Sequence, residues 1–135
     1  MTNKQQIKKL RDNAELAWAS YGYFDLVGKK FDIKDERIKN SPRIDNLTIT
    51  PTDILDMTYK KYIAVKSNPH KPDDEIKVGK LDGDMTPTQV KNFFDKYDLL
   101  DFYPKFDTKN NKQKEGFHAC LFQDKESKEL IRKLN

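Results

Sequence analysis

His118 and Cys120 are the two side chains of this sequence best suited to chemistry that also stand close together. They lie two apart on the strand-like stretch Phe117-His118-Ala119-Cys120-Leu121-Phe122, so they point to one face. Such a pair could begin a metal site or a Cys–His nucleophile. Cys–His catalysis needs a geometry that neighbours along one strand do not normally give, and a third group to orient the base. The spacing therefore predicts a packed histidine and a buried thiol. His70, between Pro69 and Pro72 in a polar loop, is expected to be solvated. Ser20, Ser41, Ser67 and Ser127 lack the strand-to-helix setting of an exposed nucleophile. The chain has no Gly-x-Ser-x-Gly, glycine-rich phosphate loop, His-Glu-x-x-His or paired-cysteine motif. Asp82-Gly83-Asp84 opens like a calcium loop, but Pro87 stands where the sixth-position glycine belongs and Phe93 where the twelfth-position glutamate belongs. No catalytic residue, cofactor or metal site is predicted.

The apolar and charged shares are each 36%, which predicts a thin core in which eight Phe, six Tyr and one Trp supply much of the buried volume. A net charge of +4 invites a nucleic-acid reading. Only Arg11, Arg37, Arg43 and Arg132 are arginine, however, and 22 carboxylates are interleaved with the lysines. That pattern describes a solvated surface, and nucleic acid is not expected as a partner. Lys105, Lys109, Lys112 and Lys114 form the densest basic stretch and could meet a polyanionic surface. No apolar run approaches the roughly 18 residues that a membrane span needs, and no signal-peptide core follows Met1. One cysteine rules out an internal disulfide framework, so a cytoplasmic location is expected.

The elements that would carry these residues begin at two similar helix starts. Thr50-Pro51-Thr52-Asp53 and Thr86-Pro87-Thr88-Gln89 each place a capping threonine, a proline at the first helical position and an Asp or Gln three residues after the cap. The first helix would carry a stripe through Ile54, Leu55, Met57, Tyr59, Tyr62 and Ile63, and the second a stripe through Val90, Phe93, Phe94, Tyr97 and Leu100. Before them, residues 5 to about 21 read as a long amphipathic helix. Its stripe runs through Ile7, Leu10, Ala14, Ala17 or Trp18, and Tyr21. The aromatic cluster Trp18, Tyr21, Tyr23 and Phe24 could be a ligand-stacking face but is expected to be the main hydrophobic contribution to the core. A polar connection follows the first capped helix, with a short hairpin around Gly79. The strand Phe117–Phe122 turns through Asp124-Lys125-Glu126-Ser127 into Glu129-Leu130-Ile131. Its two apolar faces predict a strand covered on both sides. The expected fold is a single α+β domain over 1–135, mainly helical over 1–102, with a β-hairpin at 116–132.

The hairpin sequence from Gly116 to Leu130, with its Gly-Phe-x-Ala strand and Asp-Lys-x-Ser-x-Glu turn, resembles the opening hairpin of class 3 lipase-like α/β-hydrolases. Asn13–Phe24 and Gly83–Gln89 with Asn92-Phe93-Phe94 are similar to the helical lead-in of ε-proteobacterial members. The resemblance implies the family's N-terminal part. Where that family continues to an Arg-Gly-Thr motif, this sequence reads Leu130-Ile131-Arg132-Lys133-Leu134-Asn135, and the nucleophile elbow and triad would lie beyond it. It therefore implies a truncated remnant, or half of a split protein, with no catalysis of its own. An alternative reading is an interaction or regulatory module. Its hairpin edge at Phe117, Ala119, Leu121 and Leu130 would recruit a second copy or a full-length lipase-like relative.

Overall fold

Three capping boxes set the helix starts. In the computed structural model of the chain, which describes residues 1–71, 73–114 and 116–134, Thr2 opens α1 (Asn3–Ala19) by accepting from the Gln5 N–H while Gln5 accepts from the Thr2 N–H. Asp35 caps the short α2 (Glu36–Lys39). Thr50 and Thr86 close the same reciprocal pair with Asp53 and Gln89 at the starts of α3 (Pro51–Leu55) and α4 (Pro87–Lys96), each with its proline in the first turn. The two capped starts stand where the sequence puts them. Their lengths do not.

The chain is not mainly helical. The described residues are 35% helix and 26% strand, with two three-stranded antiparallel sheets among them. Instead of running on toward Val65, α3 stops at Leu55. The segment around Met85 docks against its end, with Met85 N–H donating to the Leu55 carbonyl and Met57 N–H to the Met85 carbonyl. Asp56 then caps a single 3-10 turn, Met57–Tyr59, and the β-branched Ile63 and Val65 join a strand. The first sheet orders β1 (Lys30–Phe31), β2 (Ile63–Lys66) and β3 (Ile76–Lys80). The expected hairpin around Gly79 is thus a strand paired back to β2.

The second sheet orders β4 (Tyr97–Tyr103), β5 (Ala119–Asp124) and β6 (Leu130–Leu134). The hairpin β5–β6 was legible. Its third strand was not, because Tyr97 and Leu100 sit at helical spacing from Val90 and Phe93 and read as the last turns of α4. Asp124 holds the turn by accepting from the backbone of Glu126 and Ser127.

Buried residues from both sheets and from α1, α3 and α4 join in one cluster. Phe24, Phe31, Phe93 and Phe122 are its largest fully buried side chains. Phe93 meets Phe122 edge-on at 5.4 Å and so clamps α4 to the inner face of β5.

The orientation of α1 is the second correction. Leu16 and Ala19 are buried, whereas the apolar stripe points outward, with Ile7 67%, Leu10 70% and Tyr21 67% exposed. Of the aromatic cluster, Phe24 is in the core and Tyr23 packs against it, while Trp18 and Tyr21 face out. The helix docks by the face that carries Leu16 and Ala19 together with Asp12 and Glu15. On that same face Lys96, at the end of α4, lies 3.5 Å from Asp12 and 3.3 Å from Glu15.

Candidate functional site

Pleating sorts the residues of the second sheet. Cross-strand partners share a face, so Leu99–Phe122–Ile131 and Phe102–Cys120–Lys133 form inner rows packed toward the core. The alternate rows face outward: Tyr103–Ala119–Leu134, Asp101–Leu121–Arg132 and Asp98–Gln123–Leu130. An antiparallel sheet with one open face ordinarily shows polar side chains there. Here Asp98, Asp101, Gln123 and Arg132 keep that pattern, but Tyr103, Ala119, Leu121, Leu130 and Leu134 are apolar. Tyr103 is 55% exposed, Leu130 58% and Leu134 70%, around a shallow depression of about 220 Å³ floored by Ala119 and Leu121. The register shift between Leu99 and Asp101 adds Leu100, 49% exposed and with no cross-strand partner of its own. Phe117, just before β5, lays its ring 6.0 Å from that of Tyr103 and extends the surface.

All four residues expected at an interaction edge, Phe117, Ala119, Leu121 and Leu130, therefore fall on one side of the sheet. Leu130 lies on the edge strand β6, and the other three lie on or just before β5. β5 is the central strand, hydrogen-bonded to β4 and β6, and its backbone has no free ladder to offer. Nor is β5 covered on both sides, as its composition suggested. Both of its faces are apolar, but one is core and the other open.

Two charges flank the middle row. Asp101 and Arg132 stand on either side of Leu121. Lys105 donates to Asp101 and holds its carboxyl below the usual carboxylate range, while the same ammonium lies 3.8 Å over the Phe102 ring. Among the described residues Arg132 makes no ion pair. Reading β4 as a strand would have exposed this arrangement in the sequence, since Asp101 and Tyr103 are two apart, like Ala119 and Leu121, or Arg132 and Leu134.

The chemistry-bearing pair is packed, not presented. His118 is 6% and Cys120 4% exposed. The Nδ1 of His118 lies 3.3 Å from the Gly22 carbonyl oxygen, and its ring meets Tyr23 edge-on at 5.3 Å. The Cys120 thiol points at the Ser20 carbonyl, and burial pushes it up to about 12, far from a reactive thiolate. Near them Asp25 is buried with one carboxylate oxygen accepting from the Lys114 N–H and the other without a hydrogen-bond partner; burial raises its carboxyl above the ordinary value. These contacts fasten the segment before β5 to the chain after α1.

The remaining candidates scatter. His70 is exposed. Asp82 and Asp84 pair with Lys60, and Asp82 also with Lys61. Of the basic stretch, Lys105 is drawn to Asp101, while Lys112 and Lys114 flank Gln113, whose backbone and side chain bond to β3 and Lys80. No described helix is long and apolar enough to cross a membrane. No family model matches the chain, and neither a curated protein nor a solved structure does. The lipase-like pattern thus stands on the residues that carry it.

Proposed function

We propose that the protein is an interaction module that pairs with a second copy of itself through the outer face of the β4–β5–β6 sheet. The observation that carries this is the exposed apolar face built from Leu100, Tyr103, Phe117, Leu130 and Leu134 around Ala119 and Leu121. Its charges favour a self-complementary partner. A two-fold axis lying above β5 and parallel to it sets β4 of one copy against β6 of the other, so Asp101 meets Arg132 twice. A two-fold axis across the strands would instead set Asp101 against Asp101.

No catalysis is assigned to this chain, because its one thiol and its strand histidine are used in packing. The lipase-like resemblance adds a full-length relative as the other partner for the same face. The buried single thiol accords with a reducing, cytoplasmic setting.

Light scattering on the purified protein tests the reading, repeated with Leu121→Lys. We expect a dimer that becomes a monomer on substitution, with the far-ultraviolet circular dichroism retained. A monomer at every concentration, in the absence of a lipase-like relative, would sink self-association. A dimer indifferent to the substitution would place the contact elsewhere.

A further inference from the structure

The outward stripe of α1 has no part in that sheet face. We propose that α1 is a lipid-facing helix that lays the protein on an anionic membrane surface, in the plane of the interface and without crossing it. The helix is anchored to the fold by Leu16, Ala19 and the Lys96 ion pairs with Asp12 and Glu15, so that face is already occupied. What remains is a straight apolar line through Ile7, Leu10, Ala14, Trp18 and Tyr21, all exposed. From Ile7 to Trp18 the helix rises about 17 Å at 1.5 Å per residue, and Tyr21 follows in the turn after it.

Charge decides the occupant. Lys4 precedes Ile7 by three residues and Arg11 follows it by four, so both lie along the stripe on one flank. Lys8 and Lys9 add to them, and the first carboxylate of the chain is Asp12, which turns toward Lys96. Lys8 and Lys9 share their cleft with Asp124 and Glu129, so Lys4 and Arg11 are the cations most free to meet an outside anion. At the other end Trp18 and Tyr21 supply the amphipathic rings that settle at headgroup depth. Asp82 and Asp84 lie beside those two rings, and Lys60 and Lys61 pair with them. An outward apolar line with a basic flank and boundary aromatics is the composition of an interfacial helix. A protein groove for the same line would not call for cations on its flank.

Trp18 is the only tryptophan, so its emission reports directly on the stripe. The full protein is mixed with vesicles of phosphatidylcholine alone, or of phosphatidylcholine with phosphatidylserine, and followed by emission and flotation. We expect a blue shift and co-flotation with the anionic vesicles, both weakening as salt is added. Ile7→Glu with Leu10→Glu should abolish both while circular dichroism is unchanged, because neither side chain is packed. Lys4→Gln with Arg11→Gln should weaken binding by roughly thirtyfold at low salt, about fivefold for each cation. Leu121→Lys, on the sheet, should leave vesicle binding intact. Absence of any shift at low salt would overturn the proposal, and so would equal binding to both kinds of vesicle. Loss of self-association in the Ile7→Glu, Leu10→Glu variant, with no vesicle binding by the parent, would make the stripe a protein contact instead.

Discussion

The guanidinium of Arg43 meets the carboxylate of Asp53 with both prongs, Nη1 to Oδ1 at 2.7 Å and Nη2 to Oδ2 at 2.9 Å. The same carboxylate accepts the Thr50 N–H and completes the capping box of α3. Arg43 in turn lies within 5.0 Å of the Phe31 and Tyr59 rings and donates to the Asn46 and Thr48 carbonyls. Asp53 is largely buried, so removing the arginine leaves a carboxylate with little water to replace it. Arg43→Ala should cost about 3 kcal/mol in denaturant unfolding. Arg43→Lys should recover less than half of that, since a single ammonium cannot fill the fork.

Asp25 gives the pH dependence its unusual sign. Burial raises its carboxyl above 3.8, so between that value and the higher folded one the native state binds more protons than the unfolded chain. Its contribution therefore falls as pH rises through that window and levels off above it. Asp101 and Asp124 are lowered and act the other way, losing their contribution as pH falls. Asp25→Asn keeps an acceptor for the Lys114 N–H and removes the titration. The stability of the variant relative to the parent should climb with pH from about 4 and then flatten. A flat difference across that range would show that the buried oxygen is better solvated than the fold implies.

How much of this was legible follows from where the information is local. Caps are local, and Thr50, Asp53, Thr86 and Gln89 announce their helices in four residues each. The turn at Asp124 and the strand before it are local too. Helix ends are decided by what docks against them, and nothing within Pro51–Leu55 foretells the arrival of Met85 some thirty residues later. The reversed α1 is the same lesson. Periodicity finds the apolar stripe at Ile7, Leu10 and Trp18, but the side that turns inward carries Leu16 and Ala19, whose packing partners are remote in sequence. The outer sheet face was half visible. Both faces of Phe117–Phe122 read as apolar, while β4 was hidden by a run of residues that fits a helix equally well.

Gly83 marks the docking that ends α3. A β-carbon there would stand 2.5 Å from the carbonyl carbon and 2.6 Å from the carbonyl oxygen of Leu55, both backbone atoms that cannot swing aside. Gly83→Ala should push the Met85 segment off α3 and cost roughly 2–3 kcal/mol, the scale of overpacking a filled site. Hydrogen exchange should then quicken at the Met57 and Met85 amides, which bridge the two segments, before it quickens in the second sheet.

Cys120 should behave as a reporter of unfolding. The thiol is 4% exposed and burial holds its proton. A disulfide reagent should therefore label it at least about a thousandfold more slowly in the native protein than in denaturant, the ratio set by the fraction unfolded. Fast labelling without denaturant would mean that β5 opens locally.

The charges beside Leu121 offer a test of how two copies meet. With the two-fold axis along β5, Asp101 faces Arg132 of the partner subunit in both halves of the dimer. Asp101→Arg alone or Arg132→Asp alone then brings like charges together twice and should weaken association by at least tenfold at low salt. The double exchange restores opposite charges and should recover most of the parent affinity, although Lys105 loses its partner on Asp101. Both side chains are exposed, so the fold should tolerate each change. If the double variant is as weak as the singles, the copies do not meet in this register. An axis across the strands predicts no such pattern, because every exchange then leaves a like pair at both residues and the four proteins associate alike. Sedimentation of the four proteins at two salt concentrations separates the two geometries.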